Sequence, residues 1–139
     1  MKKHPFNKFL VAEDKGMIII RIALAILLGI HGIARIALGG VGGFGGFLDQ
    51  AGFPLGSAWA WGVTIYELVG ATALIFRWYV VPVTTLFIVE LIMGIILVHG
   101  KEGWFVVGAG RNGVEYSVLL IACLVAVIVS VRSDPSQKN

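Results

Sequence analysis

A chain of 139 residues has room for one domain of ordinary size, since domains run to about 100–200 residues. Its apolar fraction is 58% and its charged fraction 14%, against about 45–50% and about 25% in soluble domains. A globular chain this short cannot hide so much apolar surface, whereas a bilayer can. The formal charge of +3 is carried in the tails and at helix ends, which excludes a nucleic-acid footprint. The single cysteine, Cys123, excludes an intrachain disulfide, a CxxC pair or a cysteine zinc site.

A bilayer-spanning helix takes about 20 mostly apolar residues. Four such runs are present, so the expected fold is all-α, an antiparallel bundle of four transmembrane helices. Residues 1–16 mix Lys2, Lys3, Lys8 and Lys15 with Phe6, Phe9 and Leu10, the composition of a segment lying on the membrane surface. The first span is expected at 17–38. A cleaved signal peptide does not fit it, because the basic leader is long and His31 and Arg35 interrupt the apolar core. Residues 39–57 open with a glycine tract and continue through Phe47, Leu48, Phe53 and Pro54; a short re-entrant or interfacial hairpin is expected there. The second span follows at 58–76 and the third at 79–99. Only Arg77 and Trp78 separate them, which makes them antiparallel neighbours. A loop at 100–113 with Trp104, Phe105, Arg111 and Asn112 leads into a fourth span at 114–131 and a polar tail at 132–139.

Lys and Arg are in excess on the cytoplasmic side of membrane proteins. With both termini inside, the inner face holds Lys2, Lys3, Lys8, Lys15, Arg21, Arg77, Arg132 and Lys138, and the outer face only Arg35, Lys101 and Arg111. That asymmetry predicts two cytoplasmic termini. Depth then follows from the helical rise of about 1.5 Å per residue, which puts His31 ~21 Å from the inner start of its span and Glu67 ~14 Å below the outer surface. Glu90 falls near mid-membrane, and His99 and Glu115 at the outer boundary. The ionisable residues therefore gather in the outer half of the bundle. Each one at the bilayer centre costs at least ~2.5–3.5 kcal/mol on insertion scales, so such groups turn inward, pair or neutralise, and they are functional candidates by default.

Arg35 is the natural partner of Glu67, and it shares a face with His31 at i, i+4. A purely structural reading stands beside the functional one: a buried Arg–Glu pair also serves to set helix register. Glu90 equally fits a lone protonated acid bonded to a neighbouring helix. His99 and Glu115 at an interface fit simple solvation, and Trp59, Trp61, Trp78, Tyr79 and Trp104 fit the aromatic belt. Gly29, Gly32, Gly70 and Gly94 fit close helix approach.

Residues 108–113 spell GxGxxG, but a dinucleotide fingerprint needs a βαβ unit and an acidic residue about 20 positions on, whereas the chain here enters a membrane span. The tract at 39–46 lacks the Lys-Ser/Thr of a phosphate loop. His31 and His99 as two ligands of one haem iron lack any further signature.

Arg21, His31-Gly32 followed by Arg35, Gly52-Phe53-Pro54, Glu67-Leu68-Val69-Gly70, His99 and Glu115 stand in an order that resembles the DoxX family of small bacterial membrane proteins. The resemblance runs over residues 17–131. It implies a four-helix bundle of the bacterial inner membrane, with relatives linked to thiosulfate:quinone oxidoreductase, methylamine utilisation and redox-stress complexes. The chain departs from the pattern in three places. Arg35 stands where lysine is expected, Phe76-Arg77 replaces a glycine-containing turn, and a glycine-rich C-terminal segment is missing.

The reading favoured by these residues is a quinone-interacting subunit of a membrane oxidoreductase, with a polar pocket in the outer half of the bundle. Glu67 and His31 are expected to be the reacting groups. Arg35, Glu90, His99, Trp104, Arg111 and Glu115 are expected to bind the ligand, without a metal. A partner subunit would carry the redox centre; a homo-oligomer is the other expected assembly. The alternative is a non-catalytic assembly or chaperone protein that docks a partner; a small carrier fits least, because four helices show no internal repeat. Topology is testable with single cysteines replacing Ser57, Asn112 and Ser136 in a Cys123→Ala background. An impermeant thiol reagent on intact cells should label the first two and spare the third, and labelling of position 136 alone would overturn the depth argument.

Overall fold

Runs of apolar residues with no water to satisfy their backbone must close every N–H and C=O internally, and the helix does so within one segment. In a computed structural model that describes residues 15–133, the chain forms α1 (Lys15–Ala37), α2 (Val41–Gln50), α3 (Gly56–Ile75), α4 (Val80–Leu97), a 3₁₀ turn (His99–Glu102) and α5 (Glu115–Ser133). Helices α1, α3, α4 and α5 are each long and apolar enough to cross a membrane. The surface segment expected at 1–16 lies outside the described residues except for Lys15 and Gly16, which begin α1. The tail expected at 132–139 lies outside them beyond Ser133, where α5 ends.

The four long helices form a closed ring in the order α3, α1, α5, α4. Its interior is a cluster of Leu24, Leu28, Leu74, Phe87, Leu120, Leu124 and Val127 with smaller neighbours. On α5 the buried positions are Ser117, Leu120, Leu124, Val127 and Val131, the spacing of one face of a helix. Outward-facing Ile26, Ile33, Ile65, Val69, Ile96, Leu119 and Val129 are exposed. In water such a coat would be a liability; in hydrocarbon it is the expected surface.

Lipid tails are as apolar as leucine, so helices in a membrane associate through close packing and polar contacts. The most extensive interface, α1 on α3, follows that rule. A Cβ added at Gly29 would stand 2.7 Å from Ala71 Cβ, and one at Gly32 would stand 3.0 Å from the Thr64 carbonyl oxygen. Between α3 and α4, Gly70 receives the Phe87 ring, which tilts against Tyr66 at 4.7 Å, and the Tyr66 hydroxyl donates to Val83 O at 2.6 Å.

The first loop is where the fold adds most to the expectation. The expected short segment is helical: α2 is followed by a tight turn into α3. Glycines disfavour helices, yet Val41, Gly45 and Leu48 bury one face of α2, and Gly45 lets it settle on the backbone of Ser57. Asp49 Oδ1 accepts the Gly56 N–H at 2.8 Å, satisfying one of the free donors at the start of α3. At the opposite end of α3, buried Arg21 donates to the carbonyls of Leu74 and Ile75, a cation on the negative end of the helix dipole.

Gly29→Leu should lower the unfolding free energy in detergent by about 1–3 kcal/mol, the range for overpacking a tight contact. Gly42→Leu is the control, since nothing lies within 4 Å of a Cβ there; equal losses from both would show that α1 and α3 do not meet at Gly29.

Candidate functional site

The site begins with a helix crossing. Because α1 and α3 run antiparallel, the last turn of α1 lies beside the middle of α3. Gly32 then faces the Glu67 carboxylate, and a Cβ in its place would come within 3.2 Å of Oε2. One turn further along α1, Arg35 reaches the same carboxylate with both ends of its guanidinium, Nη1 to Oε2 at 2.6 Å and Nη2 to Oε1 at 3.1 Å. This is the bidentate fork that only arginine supplies. Thr64 completes it from the preceding turn of α3. Its hydroxyl donates to Ala60 O at 2.7 Å and accepts from Arg35 Nη1 at 2.9 Å. From α2, the Phe44 ring lies 4.5 Å from the guanidinium carbon, a cation–π contact. Glu67 is only 3% exposed.

Glu90, on α4, brings a second carboxyl within hydrogen-bonding reach of Glu67 and into the field of Arg35. Its Oε2 is buried and has no hydrogen-bond partner. One guanidinium balances one carboxylate, so Glu90 shares the space without a cation of its own. Tyr66, on α3, lies within electrostatic range of Glu90.

Of the residues predicted from sequence, Arg35, Glu67 and Glu90 are brought together. His31 is not among them: Gly32 faces α3, and His31 is turned out to the bundle surface. His99 and Glu115 form a separate group at the same end of the bundle, holding the loop between α4 and α5. His99 Nδ1 donates to Asn112 O at 2.8 Å and Glu115 Oε1 accepts from Val106 N at 2.7 Å. The loop folds back on itself, with Gly113 N–H to Phe105 O and Glu115 N–H to Trp104 O, both at 3.0 Å. Gly113 is needed there because a Cβ would strike the Trp104 backbone at 2.5 Å, so GxGxxG records a tight loop. Trp104 and Arg111 are exposed on it. Thr64 and Phe44 were missed by sequence reasoning. Thr64, at i−3 from Glu67, carried a signal in its spacing; Phe44, inside a glycine tract, carried none.

Breaking a buried ion pair by removing one partner costs roughly 3–5 kcal/mol, because the other charge is left uncompensated. Arg35→Ala and Glu67→Ala should each cost that much in detergent unfolding, and the double variant clearly less than their sum. Additive losses would mean that the two do not touch.

A family model described as DoxX matches residues 16–100. The match takes in α1 to the start of the 3₁₀ turn, and so contains Arg35, Phe44, Thr64, Glu67 and Glu90, while Glu115 and α5 lie beyond it. No curated protein and no solved structure matches the chain. With more than half of its residues under that match, and with the four membrane-crossing helices it contributes to, the chain belongs to the DoxX family.

Proposed function

We propose that the chain is a quinone-interacting subunit of a membrane oxidoreductase, seated in a bacterial inner membrane with both termini in the cytoplasm. The observation that supports this reading is the carboxyl oxygen of Glu90, buried without a partner beside the Arg35–Glu67 pair. Oxidation of a quinol releases protons together with electrons, and a carboxylate within hydrogen-bond reach of the head group is the acceptor that chemistry needs. Glu67 was the expected acceptor, but each of its oxygens already accepts from Arg35. Glu90 has the free oxygen, and Glu67 is its positioning residue. His31, exposed at the same end, is the first polar group that a head group arriving from the lipid meets. The electrons pass to a redox centre that the proposal assigns to a partner subunit.

One observation favours the assembly reading instead. Arg35 is held by Glu67, Thr64 and Phe44 together, as a lock between α1, α2 and α3 would be. The two readings separate at Glu90. Glu90→Gln keeps the shape and removes the proton acceptor, so a quinone analogue should bind at least tenfold more weakly, with the melting temperature and partner co-purification unchanged. Unaltered analogue binding in Glu90→Gln would sink the quinone reading.

A further inference from the structure

Glu90 carries the proposed proton chemistry, yet no hydrogen bond holds its Oε2 in place. A group that takes up a proton has to be kept within about 0.5 Å of its working position. For Glu90 that constraint falls on the backbone of α4, and so on how α4 lies against α3. Helix α3 packs less extensively on α4 than on α1, which leaves the register of α4 to a small set of contacts.

Those contacts lie on the turn of α4 that leads into Glu90. Phe87, one turn before Glu90, is fully buried. Its ring lies 2.9 Å from a Cβ built at Gly70, and it tilts against the Tyr66 ring with centroids 4.7 Å apart. The Tyr66 hydroxyl donates to Val83 O at 2.6 Å and stands within hydrogen-bonding reach of the Phe87 N–H. Val83 O and Phe87 N–H are four residues apart, the acceptor and donor of one ladder bond of a helix. A tyrosine hydroxyl can donate to the one and accept from the other.

The position of Tyr66 in the chain matters as much. It precedes Glu67, and successive residues point about 100° apart around a helix. Glu67 therefore reaches α1 through Arg35, while Tyr66 reaches α4. Phenylalanine at position 66 would supply the same ring to Phe87. A hydroxyl in an apolar setting costs free energy unless it is bonded, and the bond that this one makes fixes α4 rather than α3 itself.

We infer that Tyr66 is a positioning residue for Glu90. Its hydroxyl fixes the Val83–Phe87 turn of α4, so that the unpartnered oxygen of Glu90 stays beside Glu67. The inference rests on the quinone reading for what Glu90 does, though not for how Glu90 is held.

Carbon-13 NMR of the full chain in detergent, labelled at the glutamate carboxyls, follows Glu90 without reference to quinone; its resonance is the one missing from Glu90→Gln. Tyr66→Phe keeps the ring and removes the hydroxyl. It should shift that resonance by more than its width and weaken quinone-analogue binding about fivefold, the size of one net hydrogen bond. Tyr116→Phe, at an exposed position of α5, should change neither. Val127→Ala thins the buried core from α5, and should lower the melting temperature while leaving the Glu90 resonance where it was. An equal shift in Val127→Ala would mark a general loosening of the bundle and overturn the inference. So would an unmoved resonance in Tyr66→Phe, whatever the analogue does, or analogue binding that Glu90→Gln weakens and Tyr66→Phe does not. A shifted resonance, together with analogue binding that Glu90→Gln leaves unaltered, would uphold the positioning role and end the quinone reading alone.

Discussion

Everything at the polar end of this bundle depends on how near α1 comes to α3. Two glycines on α1, Gly29 and Gly32, remove the side chains that would hold the backbones apart. Only at that separation can the Glu67 carboxylate stand against Gly32 and the Arg35 guanidinium fold back onto it from the next turn. The dependence runs both ways. An unpaired charge at membrane depth is strongly unfavourable, so Arg35 and Glu67 penalise any arrangement that parts the helices. A buried ion pair is weak evidence for net stability, because desolvation offsets the attraction. Its effect here is on register: α1 cannot slide or rotate on α3 without uncoupling the fork.

Helix α2 extends the same logic. A ten-residue helix with four glycines has little tendency to form alone. It forms because Val41, Leu48 and Phe44 have a surface to cover, together with Ala60, Phe53 and Leu97. In covering it, α2 brings an aromatic face to the guanidinium and leaves Arg35 only partly accessible. The polar group is thus enclosed by three helices, with Glu90 entering from a fourth. In that enclosure the Glu90 Oε2 is buried without a hydrogen-bond partner, beside the Arg35–Glu67 pair.

The two ends of the molecule are chemically unlike. One holds the ion pair, the second carboxyl and a loop tied down by His99 and Glu115. The other, among the described residues, is basic and apolar, with Arg21 closing the carbonyl end of α3 and a strained turn at Arg77 and Tyr79. A membrane with two different faces suits such a division.

Hydropathy alone determined that there are four spanning helices, because the free energy of an apolar run in hydrocarbon is a sum over residues and needs no partner. Rise per residue is constant, so the position of each charged residue along its span followed too, and that position with opposite charge was enough to join Arg35 to Glu67. What no local rule contains is the rotation of each helix about its axis. His31 and Gly32 are neighbours in the chain, about 100° apart around a helix of 3.6 residues per turn, and only the packing of α1 on α3 decided that Gly32 faces Glu67 while His31 faces out. The same holds for Glu90, whose depth was legible but whose neighbour was not, and for Phe44, which reaches Arg35 only because α2 docks on α3. His99 and Glu115 were legible as polar residues at a boundary; the fold-back of the loop around Gly113 decided that they hold backbone, because unpaired N–H and C=O groups there had to be satisfied by whatever side chain the tertiary structure brought within reach.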